Sequence, residues 1–337
     1  MSLIGNSKKR FNTQKSIMNN GELFKMICGA GNEDADEVYK LCLVYTLAGA
    51  KAIDMSANID VVKSAVNGVE DAEALLGKYK LKNYTRPYLT VSIGMPGDHH
   101  VRKAKIINEK CTECDACIPV CPTDAIPDVL KIIESRCIGC GACGVACQDD
   151  AIGYSHKEIE IESVLTECIY LGVENIELHA SIIDDEPVLR EWEIVNKINP
   201  YGFNSVCIDR GYLSNHALKT RIEKMIDICP DRMIVQADGI PMSGGKDDFR
   251  TTLQAVACAD IVDKFALPVY ILLSGGTNSQ SIQLSKDCSV PYAGVSIGTF
   301  ARHLIYEFIN DPEFPEPSIL KKAVKKAQSL VNTCVKS

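Results

Sequence analysis

No apolar run in these 337 residues approaches the length that a membrane-spanning helix needs, and no signal-peptide core is visible. Neither a membrane span nor a secretory route is expected. Basic character is missing as well. The net charge is −8, and because residues 1–20 carry four positive charges and no negative one, the remainder stands at −12. That balance argues against nucleic acid as the main partner. A CxxxCxxC run is absent, which removes the usual radical S-adenosylmethionine site. Gly29-x-Gly31 lacks the third glycine of a dinucleotide fingerprint, and Gly139-x-Gly141-x-x-Gly144 has its intervening positions filled by a cysteine run. His99-His100 has no third ligand close by and reads as an exposed loop pair.

Cysteine, by contrast, is abundant, with 16 residues. Eight of them form two runs: Cys111-x2-Cys114-x2-Cys117-x3-Cys121, followed by Pro122, and Cys137-x2-Cys140-x2-Cys143-x3-Cys147. This is the bacterial ferredoxin spacing for two [4Fe-4S] clusters, in which the fourth cysteine of each run reaches across to the other cluster. The rule predicts Cys111, Cys114, Cys117 and Cys147 around one cluster, and Cys137, Cys140, Cys143 and Cys121 around the second. Zinc ribbons do not repeat a three-then-one run, and so many adjacent cysteines suit a disulfide framework poorly. Gln148 stands where a proline usually follows the second run. The other cysteines are scattered, mostly in apolar stretches, and read as free thiols of a reducing, cytoplasmic compartment.

Outside the cysteine block, short apolar runs alternate with longer amphipathic stretches, the pattern of βα units. Strands are expected at 23–28, 52–56, 88–93, 175–179, 204–209, 233–238, 269–274 and 293–297, with helices at 34–48, 159–171, 186–197, 216–228 and 247–265. Eight such units predict a (β/α)8 TIM-type barrel with an inserted two-cluster ferredoxin-like domain, and an open doubly wound sheet is the alternative. The expected division is a disordered basic tail at 1–20 and the first part of the barrel at 21–98. The insertion follows at 99–155, the rest of the barrel at 156–315, and a basic amphipathic helix at 316–337. Because βα loops emerge at the catalytic mouth of such barrels, an insertion after the third strand would hang its clusters over that mouth.

Polar residues gather where strands should be apolar. Lys25, Asp54, Glu177, His179, Asp209, Gln236 and Asp238 are expected at the mouth, because an unpaired charge inside a barrel is expensive. Glu177 and His179 share one strand face, and His179 is a candidate general acid. Lys25 paired with Asp54 or Glu177 for structure alone is the competing reading. The turns Gly275-Gly276-Thr277-Asn278 and Gly298-Thr299, with Arg302 beyond, fall after strands seven and eight. Barrels often bind phosphate there, so FMN or another phosphate-bearing ligand is a candidate cofactor. The loop 238–245 is a further ligand-facing candidate.

Several segments also resemble a known family. Met26-Ile27-Cys28-Gly29-Ala30, Tyr45-Thr46-Leu47-Ala48-Gly49-Ala50 with Ile53-Asp54, Asp238-Gly239-Ile240-Pro241-Met242-Ser243-Gly244 and Gly275-Gly276-Thr277-Asn278 carry the likeness. In order and spacing they are similar to the light-dependent period protein family of cyanobacteria, iron–sulfur proteins linked to redox input of the circadian clock. The resemblance spans roughly residues 20–305. It implies two clusters and a redox-sensing or electron-transfer role, with no established reaction. Three functions follow as expectations: electron transfer or redox sensing toward a partner protein, a flavin- or phosphate-ligand oxidoreductase fed by the clusters, or an interaction protein whose barrel is inert.

Overall fold

The computed structural model describes the chain apart from residues 1–2, 80, 82–83, 97, 157–159, 209, 212, 241–245 and 336–337. In chain order the strands are β1 (Leu23–Ile27), β2 (Ala52–Ser56), β3 (Tyr88–Gly94), β4 (Lys103–Ile106) and β5 (Ile152–Ser155). They continue with β6 (Asn175–His179), β7 (Asn204–Ile208), β8 (Met233–Asp238), β9 (Tyr270–Ser274) and β10 (Gly294–Ile297). All but β4 and β5 run parallel and close into one barrel, in the order β1-β10-β9-β8-β7-β6-β3-β2. The antiparallel pair β4–β5 frames the cysteine-rich insertion between β3 and the rest of the barrel. The open-sheet alternative is thereby excluded.

The helices are α1 (Leu3–Asn19), α2 (Ala35–Ala48), α3 (Ile59–Tyr79), α4 (Ala142–Ala146), α5 (Ile161–Tyr170) and α6 (Asp185–Ile198). After them come α7 (Asn215–Ile228), α8 (Phe249–Asp263), α9 (Ser281–Asp287), α10 (Thr299–Ile309) and α11 (Pro317–Val335). Their starts are written locally: Asp34, Asp184, Ser214 and Asp248 each accept a hydrogen bond from a backbone N–H of the first turn. α2 ends at Gly49, whose φ of 96° only glycine adopts without strain. The basic helix α11 lies against α2 and α10, with Leu320, Val324 and Val331 buried.

The barrel interior is apolar only at its base. There Leu23, Ala52, Tyr88, Phe203, Ile234 and Leu272 cluster with Ile17 and Met18 of α1. This corrects the expectation of a disordered tail. Phe11, Gln14 and Met18 follow one face of α1, and Phe11 stacks on Phe203 at a centroid distance of 4.5 Å. Arg10 lies over the Tyr88 ring at 3.8 Å and pairs with Glu174 at 2.6 Å, so the basic character of the segment did not preclude docking. Helix α1 is the plug of the barrel floor.

Candidate functional site

Moving up from the floor, the lining turns polar. Lys25 Nζ sits 2.5 Å from Glu177 Oε2 and 3.9 Å from Asp54 Oδ1, with all three side chains buried. Ser205 donates to Glu177 Oε2 at 2.8 Å and Ser92 to Asp54 Oδ1 at 2.5 Å. Burial pushes the Asp54 carboxyl up to about 7 despite Lys25. Burial also opposes charge on Lys25 and Glu177, but their mutual attraction outweighs it, raising the one and lowering the other. Lys25 is thus a paired ammonium, and it lies beneath the pocket instead of lining it.

Above this layer opens a cavity with about 720 Å³ of empty space, continuous with solvent. Asp54, Glu177, His179, Gln236 and Asp238 line it, as do Gly275, Gly276, Thr277, Gly298, Thr299 and Arg302. Gly275 and Gly276 have φ of 66° and 78°, and a Cβ on Gly275 would overlap Asp238, so this turn requires glycine. Asn278 stands apart. Its amide donates to the carbonyls of Lys246 and Asp248, which makes it a loop brace that does not face the pocket. Arg302 pairs with Glu37 at 3.1 Å and donates to the Cys28 carbonyl. Asp209 and loop residues 241–245 lie outside the described residues.

The reading of His99-His100 as an exposed pair is overturned. His100 is buried, its Nδ1 2.7 Å from Asp98 Oδ1 and its Nε2 3.2 Å from Asp238 Oδ2. Burial disfavours its cation, but the hydrogen bonds to Asp238 and Asp98 prevail and raise it to about 10. His179 behaves oppositely. Burial, with His100 beside it, lowers its value to about 4, so the ring is neutral and cannot act as an acid at neutral pH. Cys207 donates to Asp238 Oδ2 at 3.0 Å, and burial drives its thiol well up. Little of this was visible locally, since Asp238, His179 and Cys207 come from strands far along the chain from His100. A carboxylate two residues before the histidine was the only nearby signal.

The insertion brings the eight run cysteines together in two groups. One cavity, with about 400 Å³ of empty space, is lined by Cys111, Cys114, Cys117 and Cys147 together with Ile106, Leu130 and Ile152. The other, about 340 Å³, is lined by Cys121, Cys137, Cys140 and Cys143 together with Ala104, Ile126 and Ile138. The two halves repeat each other in detail. The Ala125 N–H donates to Cys121 Sγ and the Ala151 N–H to Cys147 Sγ, each at 3.2 Å and each four residues after its cysteine. A third N–H, from Ala104, donates to Cys137 Sγ at 3.3 Å.

The second group faces the barrel. Ile138 forms part of the wall of both its cavity and the barrel pocket. Lys103 fastens the contact by donating to the carbonyls of Gly31, Glu134 and Cys137, and Arg136 pairs with Asp34 at 3.2 Å. Cys114 of the first group is exposed.

Two family models match parts of the chain. Residues 104–126 and 130–153 match the 4Fe-4S binding domain, and residues 168–333 match the Light dependent period A C-terminal domain. Three solved structures share 8–11% identity with the chain. An aldolase from Escherichia coli covers 94% of this chain and 92% of its own at a TM-score of 0.48. A second aldolase covers 86% and 95% at 0.46, and a thiamine phosphate pyrophosphorylase from Pyrococcus furiosus covers 94% and 98% at 0.39. The barrel itself is defined by the parallel pairing of its eight strands. Light dependent period A of Synechococcus elongatus is 30% identical over 327 residues, which span 92% of this chain and 90% of that protein. No helix among the described residues is long and apolar enough to cross a membrane. The chain is an iron–sulfur protein with a ferredoxin-type region, and it belongs to the light dependent period A family.

Proposed function

We propose that this protein transfers or senses single electrons through two [4Fe-4S] clusters, an outer one held by Cys111, Cys114, Cys117 and Cys147 and an inner one held by Cys137, Cys140, Cys143 and Cys121. The donor sets fit. Four thiols surround each cavity, apolar side chains complete its walls, and backbone N–H groups already point at three of the sulfurs. Such hydrogen bonds stabilise the extra negative charge of a reduced cluster and set its potential. The clusters supply one-electron exchange. The residues here hold them, shield the inner one and leave the outer one reachable by a redox partner at Cys114.

The observation that carries this reading is the wall at Ile138, shared by the inner cavity and the barrel pocket. An inner cluster would adjoin the pocket, so its charge state would be felt by the pocket's occupant. Anaerobically purified protein is expected to carry about eight iron atoms, and Cys114→Ser or Cys140→Ser about four each. Iron that stays at the wild-type level in both variants would refute the ligand sets.

A second reading is favoured by one feature of the same pocket: the glycine turns at Gly275-Gly276 and Gly298-Thr299 meet there beside Arg302. In it the clusters relay electrons to FMN or another phosphate-bearing ligand. A flavin band beside the iron–sulfur absorption, or a melting temperature raised by phosphate compounds, would favour an oxidoreductase. Clusters with no small molecule and no such shift would favour the sensor.

A further inference from the structure

Three buried donors converge at the barrel mouth away from the cysteine runs. His100 comes from the stem of the insertion, His179 from the end of β6 and Cys207 from β7, with relative exposures of 8%, 6% and 1%. One donor atom from each lies within 4.8 Å of the other two, and the imidazole centroids are 4.4 Å apart. We propose that His100, His179 and Cys207 form a mononuclear site for a divalent transition-metal ion of the zinc class, with a fourth position open to the barrel pocket.

The first argument is an unsatisfied side chain. Both ring nitrogens of His179 are buried without a hydrogen-bond partner. Glu177 Oε1 lies 3.4 Å from Nε2, but too poorly aligned to be one. A sealed imidazole with two unused nitrogens is unusual, and it calls for a missing ligand. The second is orientation. Asp98 Oδ1 fixes His100 Nδ1 at 2.7 Å, and Asp98 is itself held by the backbone N–H groups of His100 at 2.9 Å and Ser181 at 2.8 Å. Carboxylates hold metal-ligating imidazoles in this way, freeing the other nitrogen for the ion.

Spacing supplies the third argument. Asp238 Oδ2 is 3.2 Å from His100 Nε2 and 3.0 Å from Cys207 Sγ, while its Oδ1 has no partner. Bonds of about 2.0–2.3 Å to a tetrahedral ion place neighbouring donors roughly 3.3–3.7 Å apart, so the three ligand atoms, now within 4.8 Å of one another, need only a modest adjustment around the ion. Two imidazoles and a thiolate suit zinc-class ions and reject magnesium and calcium. Loading displaces two protons to solvent through the pocket, the Cys207 thiol proton and the His100 Nε2 proton that now face Asp238, and leaves that carboxylate beside the open position.

The inference is independent of the cluster assignment, because iron content tests one and the zinc ligand shell the other. Cluster-loaded protein would be dialysed anaerobically against micromolar zinc, and its zinc, iron and zinc-edge X-ray absorption measured. The expected result is about one zinc per chain with one sulfur and otherwise nitrogen or oxygen ligands, at unchanged iron. Cys207→Ser and His179→Ala should each weaken binding at least about 100-fold, and Asp98→Asn about 10- to 100-fold by releasing the His100 ring. Cys288→Ser, at an exposed cysteine, should leave it unchanged. Wild-type protein that binds no zinc, an all-sulfur shell, or affinity indifferent to these substitutions would each overturn the site.

Discussion

Replacing Lys25 by methionine tests the polar layer inside the barrel. The ammonium is 3% exposed and is the only cation among the described residues paired with both Glu177, at 2.5 Å, and Asp54, at 3.9 Å. Without it, Asp54 can take up a proton, because its carboxyl already sits at about 7. Glu177 cannot do so cheaply: it remains a buried anion with the Ser205 hydroxyl as its nearest donor. Breaking a buried pair from one side destabilises by about 3–5 kcal/mol. The loss should depend on pH. In the variant, burial no longer opposed by Lys25 raises Glu177 above its unfolded value of about 4.3. A carboxyl raised on folding leaves stability intact below the unfolded value and removes it as pH rises through the folded one. Urea unfolding of Lys25→Met at pH 8 should therefore show a larger deficit than at pH 5.5, and adding Glu177→Gln should recover most of it. A deficit under about 1 kcal/mol, or a double variant no better than the single one, would refute the reasoning.

Asp54 itself offers a pH test: its carboxyl retains a proton up to about 7 in the folded chain, so wild-type stability should fall as pH rises from 4 to 7. That part of the slope should vanish in Asp54→Asn, read from urea midpoints across the range. At the floor, Phe11→Ala removes a half-buried ring stacked on Phe203 and should cost about 2 kcal/mol, less than the 3–5 of a fully buried phenylalanine. In the insertion, a Cβ on Gly139 would come within 2.4 Å of the Arg102 carbonyl and 2.6 Å of that of His99, at a φ of 70°. Gly139→Ala should lower iron content through the inner group, whereas Gly77→Ala, in open space on α3, should not.

The barrel was legible because its strands are buried on both faces. Runs such as Ala52–Ser56 and Asn175–His179 are short, alternate apolar Ile53 and Met55 or Ile176 and Leu178 into the core, and occupy the residues their pattern predicts. The cysteine groups were legible for a different reason: ligand spacing is fixed by cluster size and hardly depends on the surrounding fold. What escaped was whatever depends on contacts across the barrel. Polar composition and four cations masked Phe11, Gln14 and Met18 as a docking face, because their partners Phe203 and Tyr88 lie far along the chain. His100 escaped likewise, since Asp238 follows it by well over a hundred residues. Asn278 misled in the opposite sense. Its loop resembles a ligand turn, yet its amide is occupied by two backbone carbonyls.

The insertion point matters because the module's stem completes the barrel pocket. Met95 donates its N–H to the His179 carbonyl as the chain leaves β3, and Asp98 and His100 then turn inward over the mouth. On the return side Ile138 closes the same wall, and Lys103 ties Gly31 of the barrel to Cys137 of the module. The pocket is therefore not a property of the barrel alone. A displacement of the inner cysteine group would move Ile138 and, through Lys103, the Gly31 loop, before anything in the strands changed. Lys103 lies buried among three carbonyls and Glu33, where burial lowers its pKa. Lys103→Met would leave those carbonyls without their donor, so module and barrel should loosen while both keep their own cores. Hydrogen exchange should then quicken at residues 31 and 134–138 and stay slow in β6–β8, a split that two independently attached units would not produce.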